Sequence, residues 1–120
     1  NAFGFGYKKQ AVQYAIDQVG NKPFYLDAIG SQAYGGYRYL FWLYGREPVH
    51  SFVDNIYANW LYSVSDVPAQ TELGVVMVSL SEFEAEKPGD MIKATELRKK
   101  AIAREKFGGV EVLIIRREGS

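Results

Sequence analysis

The sequence predicts a small α/β domain, in which a three- to four-stranded mixed or parallel sheet is covered by helices. Two kinds of segment carry this prediction. Apolar residues recur at helical spacing in residues 11–19, whereas residues 75–78 and 110–115 are short apolar runs rich in β-branched side chains. Predicted helices and predicted strands alternate along the chain. This order is typical of α/β folds, because two parallel neighbouring strands must be joined by a long crossover connection, which is usually a helix. Residues 49–71 fit both a helix and a strand, so an antiparallel edge strand in this segment remains open.

The first two predicted elements are a helix and a strand. The helix runs from Tyr7 to Val19, and the apolar residues of its buried face are Val12, Ala15, Ile16 and Val19. Gly20 follows, and glycine readily adopts the left-handed conformation that ends helices. Residues 24–30 then alternate in the manner of a strand, after Pro23, whose missing amide is tolerated at the start of a strand.

The next segment is unusually aromatic. Six of the eleven residues from Tyr34 to Tyr44 carry aromatic rings. After a turn at Gly35-Gly36, helical spacing predicts one stripe made of Tyr37, Leu40, Phe41 and Tyr44. An adjoining stripe is made of Tyr39, Trp42 and Leu43. We therefore expect a helix that is buried over most of its circumference and that ends at Gly45.

The C-terminal part is predicted to contain two strands on either side of a helix. Residues 73–80 are expected to form a buried strand. Asp90 is a suitable N-cap for a helix from Met91 to Lys106, and Gly108-Gly109 is expected to end this helix. Residues 110–115 then form the last strand.

Composition excludes several classes of function. Lys plus Arg and Asp plus Glu number 14 each, so the chain has no general attraction for nucleic acid. Cysteine is absent, which excludes disulfides and thiolate metal sites, and the single histidine, His50, is expected in a solvent-facing loop. The glycine pairs lack the spacing of phosphate-binding loops, and no Gly-x-Ser-x-Gly motif occurs. The sequence therefore predicts no cofactor, no metal site and no nucleic-acid partner.

Two charged clusters leave alternatives open. The acidic cluster is either a cation or paired-carboxylate site or a solvated loop, and its members are Glu82, Glu84, Glu86 and Asp90. The basic face of the last helix either contacts anionic lipid headgroups or is solvated and paired with those glutamates, and its members are Lys93, Arg98, Lys99, Lys100 and Arg104. An enzymatic site would need the acids to converge with His50 or Arg38 in a pocket.

The aromatic segment supplies the candidate substrate-binding residues, which are Tyr34, Tyr37, Arg38, Tyr39 and Trp42. One interpretation is a core helix with tyrosine hydroxyls at its edge. The other is that some of the rings stay exposed and stack on a sugar or lie at a membrane interface, while Arg38 holds a phosphate or carboxylate. No residue of the chain is assigned a catalytic role.

Four stretches carry a family resemblance: Tyr14-Ala15-Ile16-Asp17, Lys22-Pro23-Phe24, the residues from Gly36 to Gly45, and Lys106-Phe107-Gly108-Gly109-Val110. Together they resemble the soluble C-terminal region of bacterial and archaeal membrane glycosyltransferases similar to the dolichyl-phosphate-mannose protein mannosyltransferases. The resemblance covers nearly the whole chain, and its distinctive part is the Tyr-Leu-Phe-Trp-x-Tyr-Gly stretch at residues 39–45.

The resemblance implies a polytopic parent enzyme that takes a sugar from a polyprenyl-phosphate donor and keeps its catalytic acids in a loop outside this chain. Residues 3–120 would be one non-catalytic accessory domain excised from that protein, after a tag-removal scar at residues 1–2. The domain would lie on the extracytoplasmic face of the membrane. Its partners would be the membrane-embedded remainder of the protein and also the membrane surface or a glycan acceptor. The alternative is a free-standing glycan- or peptide-binding module that uses the same aromatic face.

Overall fold

The computed structural model describes residues 5–29, 34–49, 71–79 and 88–116. These residues form α1 (Phe5–Val19), β1 (Phe24–Ile29), α2 (Tyr34–Leu43), β2 (Leu73–Ser79), α3 (Pro88–Lys100), β3 (Ala101–Phe107) and β4 (Val110–Arg116). The four strands make one sheet with both parallel and antiparallel neighbours. The predicted fold class, a small mixed sheet covered by helices, is confirmed.

The strands lie in the order β1-β2-β4-β3. β1 and β2 are parallel, and Phe24 lies opposite Leu73 at the start of both strands. β4 runs antiparallel to both of its neighbours. Parallel pairing of β1 with β2 requires a crossover connection, and α2 lies within it.

One face of the sheet is covered by α1 and α2. The strands contribute apolar, almost fully buried side chains to this cluster, among them Phe24, Leu26, Val75, Met77, Val112 and Ile114. The helices contribute Ala11, Val12, Ala15, Tyr37, Leu40 and Phe41. Each large side chain buried in this way contributes about 1.5–3 kcal/mol relative to an exposed position, so this cluster is the main core.

The opposite face of the sheet carries α3. Ala94 and Leu97 of α3 pack against a second apolar cluster made of Ile29, Val76, Val78, Leu113 and Ile115. Because successive residues of a strand project to opposite faces, β2 and β4 contribute to both clusters. Burial on both faces explains why the sequences of these two strands are nearly continuous apolar runs.

The predicted helix from Met91 to Lys106 is wrong in its second half. α3 begins at Pro88 and ends at Lys100, so Asp90 lies inside the helix rather than capping it. Residues Ala101–Phe107 form β3, which pairs with β4 and supplies an antiparallel edge of the sheet. Gly108, with φ of 57°, lies in the turn of this hairpin and does not end a helix. Backbone pairing with β4 overrides the local helical pattern.

The helix ends nearer the N-terminus follow the glycine positions more closely. α1 is followed by Gly20, with φ of 61°, and α2 by Gly45, with φ of 77°, as predicted. The predicted turn at Gly35-Gly36 is wrong, because α2 already begins at Tyr34. None of the helices in the described part of the chain has the length and apolar character needed to cross a membrane.

Candidate functional site

Three large side chains of α2 are exposed together and form the α2 patch, which consists of Tyr39, Trp42 and Leu43. Their exposed fractions are 57%, 58% and 52%. Spacings of three and four residues place them on one side of the helix. The other side is buried and carries Tyr37, Leu40 and Phe41. The expectation of a helix buried over most of its circumference is therefore wrong.

The rings of Tyr39 and Trp42 form one continuous aromatic surface. Their centroids lie 5.9 Å apart, and their planes are inclined by 33°. Aromatic pairs at such separations contribute about 0.5–1.5 kcal/mol beyond the area that they bury. The contact favours a defined arrangement of the two rings, while more than half of each side chain stays accessible to a ligand.

The buried side of α2 fixes the position of the patch. Phe41 is fully buried and packs against Phe24 of β1, with ring centroids 5.2 Å apart and planes inclined by 54°. α2 also contacts α1. The exposed rings are therefore presented by a helix anchored to the main core, which limits the conformational entropy that a ligand must offset on binding.

Arg46 ties the end of α2 to the end of α1. Its Nη2 donates hydrogen bonds to the carbonyl oxygens of Gly20, at 2.7 Å, and Lys22, at 2.8 Å. Its guanidinium carbon lies 5.4 Å from the centroid of the Phe24 ring. Gly20 and Lys22 lie in the turn that follows α1, so Arg46 satisfies two carbonyl groups of this turn and places a positive charge near the C-terminal end of the helix dipole.

The structure separates the predicted substrate-binding residues. Tyr39 and Trp42 lie together in the α2 patch, but Tyr37 is only 3% exposed and packs in the main core. The Nζ of Lys8 lies 5.7 Å from the centroid of the Tyr37 ring, so that ring already has a partner within the domain. The Tyr34 side chain lies outside the described part of the structure.

Arg38 is the only charged residue of α2, and it is half-buried. Its Nη2 donates a hydrogen bond to the carbonyl oxygen of Pro48 at 3.1 Å, so part of the guanidinium holds the loop after the helix. Leu43 was not predicted as a site residue, although it belongs to the same stripe as Tyr39 and Trp42. The α2 patch thus offers aromatic and apolar contact and lacks a carboxylate or imidazole for proton transfer.

The acidic cluster, for which the sequence left a cation or paired-carboxylate site and a solvated loop as alternatives, lies outside the side chains that the structure describes. His50 lies outside them, as do Glu82, Glu84 and Glu86, and the Asp90 side chain is not described. Within the described ranges, no three His, Cys, Asp or Glu side chains are grouped closely enough to hold a metal ion. Both alternatives for this cluster, a site and a solvated loop, therefore stay untested.

Comparison with known proteins gives no match, whether against family models, curated proteins or solved structures. The resemblance to membrane glycosyltransferases therefore also stays a prediction. The geometry of the α2 patch is the observation on which a functional proposal rests.

Proposed function

We propose that this chain is a non-catalytic accessory domain of a polytopic membrane glycosyltransferase, on the extracytoplasmic face, and that its α2 patch contacts the glycan acceptor. The parent enzyme would use a polyprenyl-phosphate sugar donor, as the sequence resemblance implies. The observation that carries the proposal is the exposed pair of Tyr39 and Trp42, on a helix whose other side is packed into the core.

The chemistry of the pair suits a carbohydrate. A pyranose ring has an apolar face of C–H groups that packs on an aromatic ring, and hydroxyl groups around its rim. The hydroxyl group of Tyr39 and the indole N–H of Trp42 are polar groups at the edges of the rings, and they can form hydrogen bonds with such hydroxyls. With centroids 5.9 Å apart, the two rings allow one saccharide to contact both.

The composition of α2 supports recognition rather than catalysis. Sugar transfer requires a base or a metal to activate the acceptor hydroxyl. α2 contains no acidic residue and no histidine, and its single charged residue, Arg38, donates to the Pro48 carbonyl. A contact surface of this kind adds binding energy and orientation to a reaction that other residues catalyse.

Binding of neutral oligosaccharides to the isolated chain tests the proposal. The probe is a panel of oligosaccharides titrated into 15N-labelled protein. Binding is monitored at the backbone amides of α2, which report on every variant, and at the Trp42 indole resonance of the wild type, which a Trp42→Phe variant assigns. We expect saturable shifts at the α2 patch and about two- to tenfold weaker binding in Trp42→Ala or Tyr39→Ala, because one aromatic contact is worth about 0.5–1.5 kcal/mol. Ile92→Ala is the matched control, since Ile92 is a 65% exposed apolar side chain on α3.

Two results would contradict the proposal. Equal weakening by Ile92→Ala and Trp42→Ala would show that binding does not use the α2 patch. Transfer of sugar from a polyprenyl-phosphate donor by the isolated chain would refute its non-catalytic role. In a full-length parent enzyme, Trp42→Ala is expected to raise the KM for the acceptor and to leave that for the donor unchanged.

A free-standing glycan- or peptide-binding module is the second candidate, because the same Tyr39 and Trp42 pair would serve it. The reading frame that encodes the chain distinguishes the two. Several hydrophobic spans joined to the domain support the accessory role, and a short frame without them supports the free-standing module.

A further inference from the structure

A buried carboxylate on the α3 side of the sheet binds one arginine and lies near a second. Glu111 of β4 is 1% exposed, although it is the only polar residue of that strand before Arg116. The Nε of Arg98, on α3, donates to Oε1 of Glu111 at 2.7 Å. The Nη1 of Arg104, on β3, lies 3.9 Å from Oε2 of the same carboxylate. The basic face predicted for a single helix is thus divided between α3 and β3.

Lys106 adds a third positive charge on the same side. It lies directly opposite Glu111 in the antiparallel pairing of β3 with β4. Residues opposite each other in such a pair project to the same face of the sheet. We name Glu111, Arg98, Arg104 and Lys106 together the Glu111 cluster, which contains three cations and one anion.

The other described acidic side chains of α3 and β3 do not neutralise this cluster. Glu105 alternates to the opposite face of β3, where burial and, secondly, the Glu105 charge raise the pKa of Tyr14. Glu96 lies 3.6 Å from Lys99 on the exposed surface of α3. Among the described residues, the Glu111 cluster therefore keeps an excess of positive charge.

Glu111 fixes Arg98 and leaves part of its guanidinium accessible. The group has five N–H donors, and the Nε donor is committed to Glu111. The Arg98 side chain is 25% exposed, so solvent reaches it. Arg104 is 57% exposed, and its 3.9 Å separation from Glu111 exceeds hydrogen-bond distance. One oriented guanidinium beside two adaptable cations is an arrangement suited to a tetrahedral oxyanion.

We propose that the Glu111 cluster binds a phosphate group between α3 and β3. Phosphate fits because its charge offsets the excess of cations and its oxygens accept several N–H donors at once. A phospholipid headgroup and a soluble phosphate ester present the same chemistry. The site is distinct from the α2 patch and does not depend on the function proposed for that patch.

Inorganic phosphate titrated into the intact chain at constant ionic strength tests this site. We expect saturable changes in backbone amide NMR shifts at Arg98, Arg104 and Lys106. Arg104→Gln and Lys106→Gln should each weaken phosphate binding about tenfold, as expected for loss of one charge-assisted hydrogen bond. Lys22→Gln removes an exposed cation at the end of α1 and serves as the control that leaves binding unchanged.

Arg98 needs a different substitution, because alanine would leave Glu111 buried without its closest partner. Arg98→Lys keeps the charge and loses the planar group. We expect this variant to remain folded by circular dichroism and to bind phosphate more weakly than the wild type. Unchanged affinity in folded Arg98→Lys would contradict the role given to the guanidinium.

Vesicles distinguish the two sources of phosphate. Binding to phosphatidylglycerol vesicles but not to phosphatidylcholine vesicles, with competition by inorganic phosphate, would identify a lipid headgroup. Phosphate binding without vesicle binding would identify a soluble ligand. The proposal is overturned if phosphate produces no saturable shift, or if Lys22→Gln weakens binding as much as Arg104→Gln does.

Discussion

Tyr25 lies over Gly74 on the neighbouring parallel strand, and its ring fills the space that a Cβ atom of residue 74 would need. Tyr25 is 5% exposed on the α3 side of β1. The pair places one of the largest side chains of the sheet beside the only residue type that has none. The close approach therefore depends on glycine at position 74.

Replacement of Gly74 by alanine is expected to lower the free energy of unfolding by about 1–3 kcal/mol, because the Tyr25 ring or the strand must shift. Chemical denaturation measures this loss. Gly36→Ala is the control, since Gly36 is exposed in α2 and a Cβ there meets no atom within 4 Å. The control should leave stability unchanged or raise it by up to about 1 kcal/mol. Equal losses in both variants would contradict the close approach.

The two glycines of the β3–β4 hairpin should respond differently to alanine. Gly108 has φ of 57°, and the Tyr7 ring occupies the position of its missing Cβ. Gly108→Ala is expected to cost about 1–3 kcal/mol from left-handed strain and overlap, measured by thermal unfolding. Gly109→Ala should cost less, because a Cβ there meets nothing within 4 Å. In a Tyr7→Ala background the penalty at Gly108 should shrink, and an unchanged penalty would exclude the overlap as a cause.

Alanine substitutions at two neighbouring aromatic residues of α2, Phe41 and Trp42, are expected to have very different effects on the stability of the domain. Phe41→Ala removes a fully buried ring that packs on Phe24, and it is expected to destabilise the domain by about 3–5 kcal/mol. Trp42→Ala removes a ring that is 58% exposed, so its effect on unfolding should stay within about 1 kcal/mol. Denaturation midpoints measure both changes. A large loss in Trp42→Ala would mean that the ring supports the fold rather than a ligand.

Tyr14 is expected to make stability depend on alkaline pH. Burial first, and the charge of Glu105 second, raise the pKa of Tyr14 above its ordinary value of 10.0. The folded state therefore holds this proton more tightly than the unfolded state. The resulting stabilisation is complete below about pH 10 and is lost as the pH rises through the folded pKa.

Denaturation measured across this alkaline range tests the dependence on Tyr14. Tyr14→Phe should reduce the loss of stability above about pH 10 relative to the wild type. Glu105→Gln should reduce it only partly, because burial is the larger cause of the raised pKa. An identical alkaline profile in Tyr14→Phe would contradict this assignment.

Hydrophobic periodicity predicts those helices and strands whose residue pattern fits only one type of secondary structure. The β-branched run of β2 and the one-sided helix α1 were predicted close to their observed bounds. The junction of α3 with β3 was not, because Ala94, Leu97 and Ala101 keep helical spacing across it. The boundary between α3 and β3 is set by the pairing of β3 with β4. The local sequence pattern does not show this pairing.

The sequence predicts the aromatic residues of the candidate site, but it does not predict which of them face solvent. The sequence showed an aromatic helix, yet whether Tyr37 or Tyr39 faces solvent depends on the rotation of α2 against Phe24 and α1. In the sequence, Glu111 is one charged residue within an apolar run that predicts a strand. Its partner Arg98 lies on another element, so their ion pair arises only from the packing of α3 on the sheet.

The pairing of edge strand β3 with β4 shifts register between Ala101 and Ala103, and this bulge affects how the protein behaves at high concentration. β3 is an edge strand, and the bulge is followed by three charged residues in a row, Arg104, Glu105 and Lys106. Irregular, charged edges discourage strands of other molecules from extending a sheet. At the opposite edge, the Val49 amide donates to the Phe24 carbonyl at 2.9 Å. We therefore expect the domain to resist edge-to-edge aggregation, and its partners to meet side chains rather than exposed backbone.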